Sequence, residues 1–155
     1  MSAFISAAAG RPKLLWAGGT TMDAVLGGEG TAGALSLVDA SSVRGDATPL
    51  HVHHGEAEIF YLLEGSITAL GDDARFELIA GDAIYLPPGR PHAYAVTSET
   101  ARLIIVTTSP GFAAFVGQAG VPVTGEMPQR WEFDLGRFMV AAPKQDIEIL
   151  GPPPF

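Results

Sequence analysis

Three imidazoles and two carboxylates fall within the eight-residue stretch HVHHGEAE, from His51 to Glu58. The chain of 155 residues holds four histidines, and the fourth is His92, in GDAIYLPPGRPHAYAV. Imidazole nitrogens and a carboxylate oxygen together suit a divalent first-row metal such as Ni, Fe, Mn, Co or Zn. On a strand, alternate side chains share a face, so His51 and His53 point one way and His54 points the other. Gly55 bends the chain, and a strand resuming near Glu58 puts Glu58, Phe60 and Leu62 on one face. With that face inward, Glu58 stands beside the histidines, while Glu56 stays in the bend, in solvent. His92 opens a later strand after Pro87-Pro88-Gly89 and, in an antiparallel barrel, reaches the same ion from the neighbouring wall. Four protein ligands leave one or two coordination positions open, as a catalytic site requires and a structural site does not.

Such a set has to be carried by short strands, and the rest of the sequence supplies them. From about Lys13 to Thr108, apolar runs are broken every few residues by turn signals. The runs include KLLWAGG, MDAVLGG, ALSLVDA, PLHVHH, EIFYLLEG, AIYLPPG, HAYAVT and RLIIVTT. Gly71-Asp72-Asp73 marks a hairpin between Ile67–Leu70 and Ala74–Ile79. This pattern predicts an all-β sandwich or barrel. Helical signals come only afterwards. FAAFVGQAG, after Pro110-Gly111, predicts a short helix ending near Gly120. Trp131, Leu135, Phe138 and Met139 at helical spacing predict a second, ending before Pro143, although Gly136 weakens it. DIEILGPPPF is expected to be a short extended tail with a polyproline-like end.

Composition bounds the partners. Hydrophobic residues make up 47% of the chain and charged ones 17%, with 19 glycines and 12 prolines, which fits one globular domain rich in turns. There is no cysteine, so disulfides, thiolate metal sites and cysteine nucleophiles are excluded. A net charge of −8 opposes binding to nucleic acid or anionic membranes, and no apolar run is long enough to span a bilayer. MSAFISAAAG lacks the basic start of a signal peptide, and Ser6 breaks its apolar stretch. It reads as a disordered or strand-exchanging arm, and the protein is expected to be cytoplasmic.

The two histidine segments resemble the two cupin motifs. The first runs Gly45, five residues, His51, one, His53, four, Glu58, six, Gly65; the second runs Gly81, five, Pro87, one, Gly89, two, His92. Fifteen residues separate them, as in compact single-domain cupins. The resemblance implies a double-stranded β-helix, a jelly-roll barrel, with short C-terminal helices. One cupin domain is expected over 1–155, its barrel core at about 13–108 and its helical extension and tail at about 110–155. It implies His51, His53, Glu58 and His92 as metal ligands. Val96 stands where cupins often carry Asn, which makes that part of the pocket more apolar. Phe60, Leu62, Ile84 and Leu86 share inward parity, which suits either barrel core or the wall of a substrate cavity, and Tyr94 is read as pocket wall. His54 is expected to face outward or to stand behind the ligands.

Within the cupins, TPLHVHHGEAEIFYLLEGSI, ARLIIVTTSPGFAAFV and DIEILGPPP are similar to the bacterial monocupin flavonol dioxygenases, the quercetinase-like group. The segment Glu126 to Lys144 does not resemble that group. The likeness implies a dioxygenase that takes a small aromatic enol, a flavonol or a polyketide-type ring, with O2, and Glu58 as ligand, general base or both. Two other classes remain open: a metal-dependent isomerase, cyclase or hydrolase that uses no O2, and a binding module without catalysis. Cupin barrels commonly pair through their strands, so a homodimer is expected, with KLLWAGG as an edge strand.

Overall fold

In the computed structural model, which describes residues 2–155, short strands build two antiparallel sheets packed face to face. In chain order the first six are β1 (Leu14–Leu15), β2 (Thr21–Leu26), β3 (Ser36–Val43), β4 (Leu50–His53), β5 (Glu58–Glu64) and β6 (Ser66–Gly71). The others are β7 (Ala74–Ile79), β8 (Ala83–Leu86), β9 (His92–Val96), β10 (Thr100–Thr107), β11 (Val121–Pro122) and β12 (Ile147–Gly151). One sheet has the order β11-β1-β2-β3-β10-β5-β8 and the other β12-β4-β9-β6-β7. Of the helices, α1 (Gly28–Thr31) is a single turn; α2 (Gly111–Ala119) and α3 (Leu135–Ala141) follow the main run of strands. No helix among the described residues is long and apolar enough to cross a membrane.

Period-two patterning makes the interior. β3 turns Ser36, Val38, Ala40 and Ser42 inward, and its neighbour β10 turns in Ala101, Leu103, Ile105 and Thr107. β5 adds Glu58, Phe60 and Leu62 to the same inner face. Each large apolar side chain removed from water here contributes about 1.5–3 kcal/mol. Outward positions mix polar and apolar residues: Arg102 pairs with Asp39 at 2.6 Å, while Leu37 lies opposite Val106.

Two corners set the path of the chain. Asp72 and Asp73 both have positive φ (51° and 64°) in a two-residue turn that pairs Gly71 with Ala74, the primed geometry whose twist suits a hairpin. Gly65 lies where the chain leaves β5 in one sheet for β6 in the other. Its φ is +81°, and a Cβ there would run into the Thr100 carbonyl oxygen.

Three sequence expectations need correction. The second helix does not reach back to Trp131: it starts at Leu135, because the Asp134 carboxylate caps it by accepting the Arg137 N–H at 2.9 Å. Strand pairing does not stop near Thr108 either. β11 covers β1, and the tail returns as β12, where Ile147 pairs with His53 and Ile149 with His51. KLLWAGG is therefore no free edge: Leu14–Leu15 are flanked on both sides, and Ala17–Gly19 form a 3-10 turn. At the base of the N-terminal arm, Arg11 bonds to Asp23 at 2.9 Å and to the Ser6 carbonyl at 2.9 Å.

Candidate metal centre

The four candidate ligands come from three strands on both sheets. β4 carries His51 and His53 on one face, and Val52 is buried behind them. His92 opens β9 and is the direct cross-strand partner of His51. The Pro-Pro-Gly turn before it is tied down by the Gly89 N–H, which donates to the His53 carbonyl at 2.8 Å. Glu58 opens β5 in the opposite sheet, paired with Thr107 and Leu86. One ligand atom from each of His51, His53, Glu58 and His92 lies within 4.8 Å of all the others.

Ring orientation settles which nitrogens face the centre. The Nδ1 atom of His51 lies 2.8 Å from the Pro49 carbonyl, and that of His92 lies 3.0 Å from the Arg90 carbonyl. A carbonyl only accepts, so both Nδ1 atoms carry protons and donate, leaving Nε2 for the centre. His53 Nδ1 likewise faces Glu56 Oε1 at 2.8 Å. His53 Nε2 is buried and has no hydrogen-bond partner among the described residues. A buried nitrogen left unpaired is costly, and a cation at the centre would satisfy it. The donor set of three imidazoles and one carboxylate, with the lone pairs converging, fits a divalent first-row metal.

The electrostatics agree. Burial drives His51 down to about 3, and positive charge on His92 and His53 adds to the shift, so its ring is neutral near pH 7. Burial alone would lift Glu58, but His53, the hydrogen bond from His92 and His51 outweigh it and hold the carboxyl at about 2. Burial alone would lower His53, yet the Glu58 and Glu56 carboxylates hold it above its usual value. A buried carboxylate among three rings favours positive charge at that point, whether from a proton or a cation.

Glu56 is the clearest departure from the sequence reading. It is not solvated: it is 4% exposed, bonded through Oε1 to His53 and through Oε2 to the Ser109 hydroxyl. Its position three residues after His53, across the Gly55 bend, was the signal available for it. His54 does face outward and pairs with Glu148 at 2.8 Å at the surface.

His51, His53 and Glu58 open onto a cavity of about 450 Å³. Of the residues expected in a substrate pocket, Phe60 and Tyr94 line it, with their rings 5.4 Å apart, edge to face. Leu62 and Val96 are buried in the core away from it, and Ile84 and Leu86 border a separate depression of about 220 Å³ behind His92. Most of the cavity wall comes from residues that the sequence did not single out for it. Phe112 and Phe115, one helical turn apart on α2, face Trp16 and Phe138, with Trp16 and Phe115 at 5.3 Å and Phe115 and Phe138 at 5.2 Å. Phe133 and the α3 residue Leu135 also line it, so the segment 126–144 helps to close it. Asp46 is a buried acid in the same wall, accepting from the Thr20 hydroxyl. Burial lifts the Asp46 carboxyl above its usual range, with the Thr20 bond partly offsetting it. Burial, with Asp46 nearby, also lifts the Tyr94 phenol, which stays protonated.

Comparison with known proteins is consistent with this geometry. Residues 42–107 match the family described as a cupin domain. Quercetin 2,3-dioxygenase from Bacillus subtilis is 33% identical over 126 residues, 79% of this chain, and the chain spans 37% of that enzyme's length. A structure described as a predicted oxalate decarboxylase from Thermotoga maritima superposes with a TM-score of 0.62 at 20% identity, covering 68% of this chain and 99% of the other. That likeness speaks for the fold alone. The polyketide cyclase RemF from Streptomyces resistomycificus is 31% identical with a TM-score of 0.50, over 57% of this chain and 63% of its own.

Proposed function

The chain belongs to the cupin superfamily, and from that premise we propose that it is a metal-dependent dioxygenase acting on an aromatic enol, of flavonol or polyketide type. The observation that carries this reading is the convergence of His51, His53, Glu58 and His92 beside an aromatic-walled cavity. The reading takes residues 1–155 as one domain, since α2, α3 and β12 close the same cavity that the strands form.

In this proposal His51, His53 and His92 hold a divalent ion through Nε2, and Glu58 is the fourth ligand. The bound metal supplies Lewis acidity toward a substrate oxygen and, if it is redox-active, a route for electrons to O2. Glu58, ionised throughout the physiological range, would accept the substrate's enol proton; a weak base suffices once that hydroxyl is acidified. Trp16, Phe112, Phe115 and Phe138 fit a flat ring between their faces and edges and keep water out. The Tyr94 phenol, held protonated, is a wall of the cavity and not a base.

A second reading is a metal-dependent cyclase or isomerase that consumes no O2. The 31% identity to a polyketide cyclase favours it. One experiment separates the two: metal analysis of the purified protein, then oxygen-electrode assays with quercetin and other enolic aromatics. Oxygen uptake matched to substrate loss is the expected result. Turnover at constant oxygen overturns the dioxygenase reading in favour of the second, and binding without turnover removes both.

A homodimer is part of the proposal. With β1 covered, the sheet edges are β11 and β8 in one sheet and β12 and β7 in the other, and of these β7 and β8 carry the exposed Phe76, Ile79 and Tyr85. A monomer mass by light scattering at micromolar concentration would remove it.

A further inference from the structure

We infer that Glu56 is a positioning residue that locks the His53 ring and, through Ser109, ties the metal centre to α2, so that metal binding firms the helix that walls the cavity. The inference rests on the metal reading above. His53 and Glu56 are both almost fully buried, at 2% and 4% exposure, and meet at 2.8 Å. Each Glu56 oxygen has its own partner. Oε1 accepts from His53 Nδ1, and Oε2 accepts from the Ser109 hydroxyl. The Ser109 oxygen in turn accepts the N–H of Gly111, the first residue of α2, at 3.1 Å. Gly111 suits this junction, since a Cβ there would lie 3.3 Å from Glu56 Oε2.

The segment is anchored close by as well. The Ala57 N–H donates to the Thr108 hydroxyl at 3.0 Å, and the Thr108 N–H donates to the Ala57 carbonyl at 3.1 Å. One residue into α2, the Phe112 ring lies 5.8 Å from that of His53 and lines the cavity. His51 and His92 are oriented by backbone carbonyls within two residues of themselves. Only His53 among the three is oriented by a side chain that also bonds a distant element. A shift of α2 is thus felt at His53 Nε2, and a cation that fixes Nε2 restrains α2.

Cobalt(II) titration followed by its ligand-field absorption, with hydrogen exchange of residues 111–119 before and after Co2+, tests this. In the wild type, Co2+ is expected to bind and to slow exchange in 111–119. Glu56→Ala is expected to raise the Co2+ dissociation constant by about 10–100-fold and to alter the absorption band, a change that general loosening does not produce. Glu56→Gln, which keeps an acceptor for His53 but loses the charge, is expected to fall between the two. Ser109→Ala is expected to bind Co2+ within about threefold of wild type while losing the metal-dependent slowing in α2. Should Glu56→Ala fail to fold, Glu56→Gln and Ser109→Ala decide the matter. Wild-type affinity and band shape in the Glu56 variants overturn the positioning role. Full metal-dependent protection of α2 in Ser109→Ala overturns the coupling. A wild type that takes up no Co2+ removes the metal reading itself, whereas a binding wild type with indifferent variants removes this inference alone.

Discussion

Glu58 and His92 stand on opposite sheets, yet Glu58 Oε2 lies 2.9 Å from His92 Nε2. The same oxygen is 3.8 Å from His53 Nε2. The site therefore bridges the two layers of the barrel, and each ligand is held because it lies on a paired strand. Holding ligands on strands instead of loops keeps their geometry when the ion leaves. It also makes metal affinity and barrel stability report on each other.

Replacing His53 or His92 with Ala is expected to remove most bound metal, and with it activity. A ligand present at about 100 times its dissociation constant adds about 2.7 kcal/mol to stability. Metal-dependent gain in the denaturant midpoint should therefore vanish in both variants. His54→Ala should keep metal content and change stability by no more than about 0.5 kcal/mol, since exposed pairs such as His54–Glu148 contribute little. Elemental analysis with and without added metal checks all three, and metal loss in His54→Ala equal to that in His53→Ala would refute the face assignment.

Glu58→Gln keeps the size and one acceptor oxygen but loses the charge. If the carboxylate accepts the substrate proton, turnover should fall by about 10²–10⁴-fold while part of the metal is retained. Steady-state rates set against metal stoichiometry give the answer. Full activity in a metal-loaded Glu58→Gln variant would exclude the base role.

Gly65→Ala should destabilise the protein by about 2–3 kcal/mol or more, from the positive φ and the collision with the Thr100 carbonyl. Urea unfolding measures it. A shift below about 0.5 kcal/mol would mean that the corner between the sheets relaxes easily.

Asp46 predicts a pH dependence of its own. Its folded pKa is raised by burial, so the native state holds this proton more tightly than the unfolded chain does. The contribution is most favourable below the unfolded value, near about 3.9, and is lost as pH rises through the folded value. Asp46→Asn has no charge to desolvate and should gain on wild type as pH is raised from about 4 to about 7. The difference between the two unfolding midpoints across that range is the measurement, because any pH-independent cost of the substitution cancels. A constant difference contradicts the shift.

What the chain determined locally was legible beforehand. The period of two put His51 with His53 and Glu58 with Phe60, because strand side chains alternate whatever the sheet around them. The Gly71-Asp72-Asp73 hairpin could be marked for a similar reason, since its backbone geometry depends on local sterics. The two spaced motifs pointed to one centre. Tertiary structure alone decided the rest. Parity distinguishes inside from outside but says nothing about position along the barrel, so Phe60 and Tyr94 reach the cavity while Leu62 and Val96 are spent in the core. Glu56 was assigned to solvent because a bend after glycine is usually wet; the α2 junction, more than fifty residues on, buries it. The tail was legible as a short extended segment, but its place beside His51 and His53 follows from a free strand edge on β4, which no local pattern in DIEILG reveals. Local chemistry is written residue by residue, whereas burial depends on which distant segment arrives to cover it.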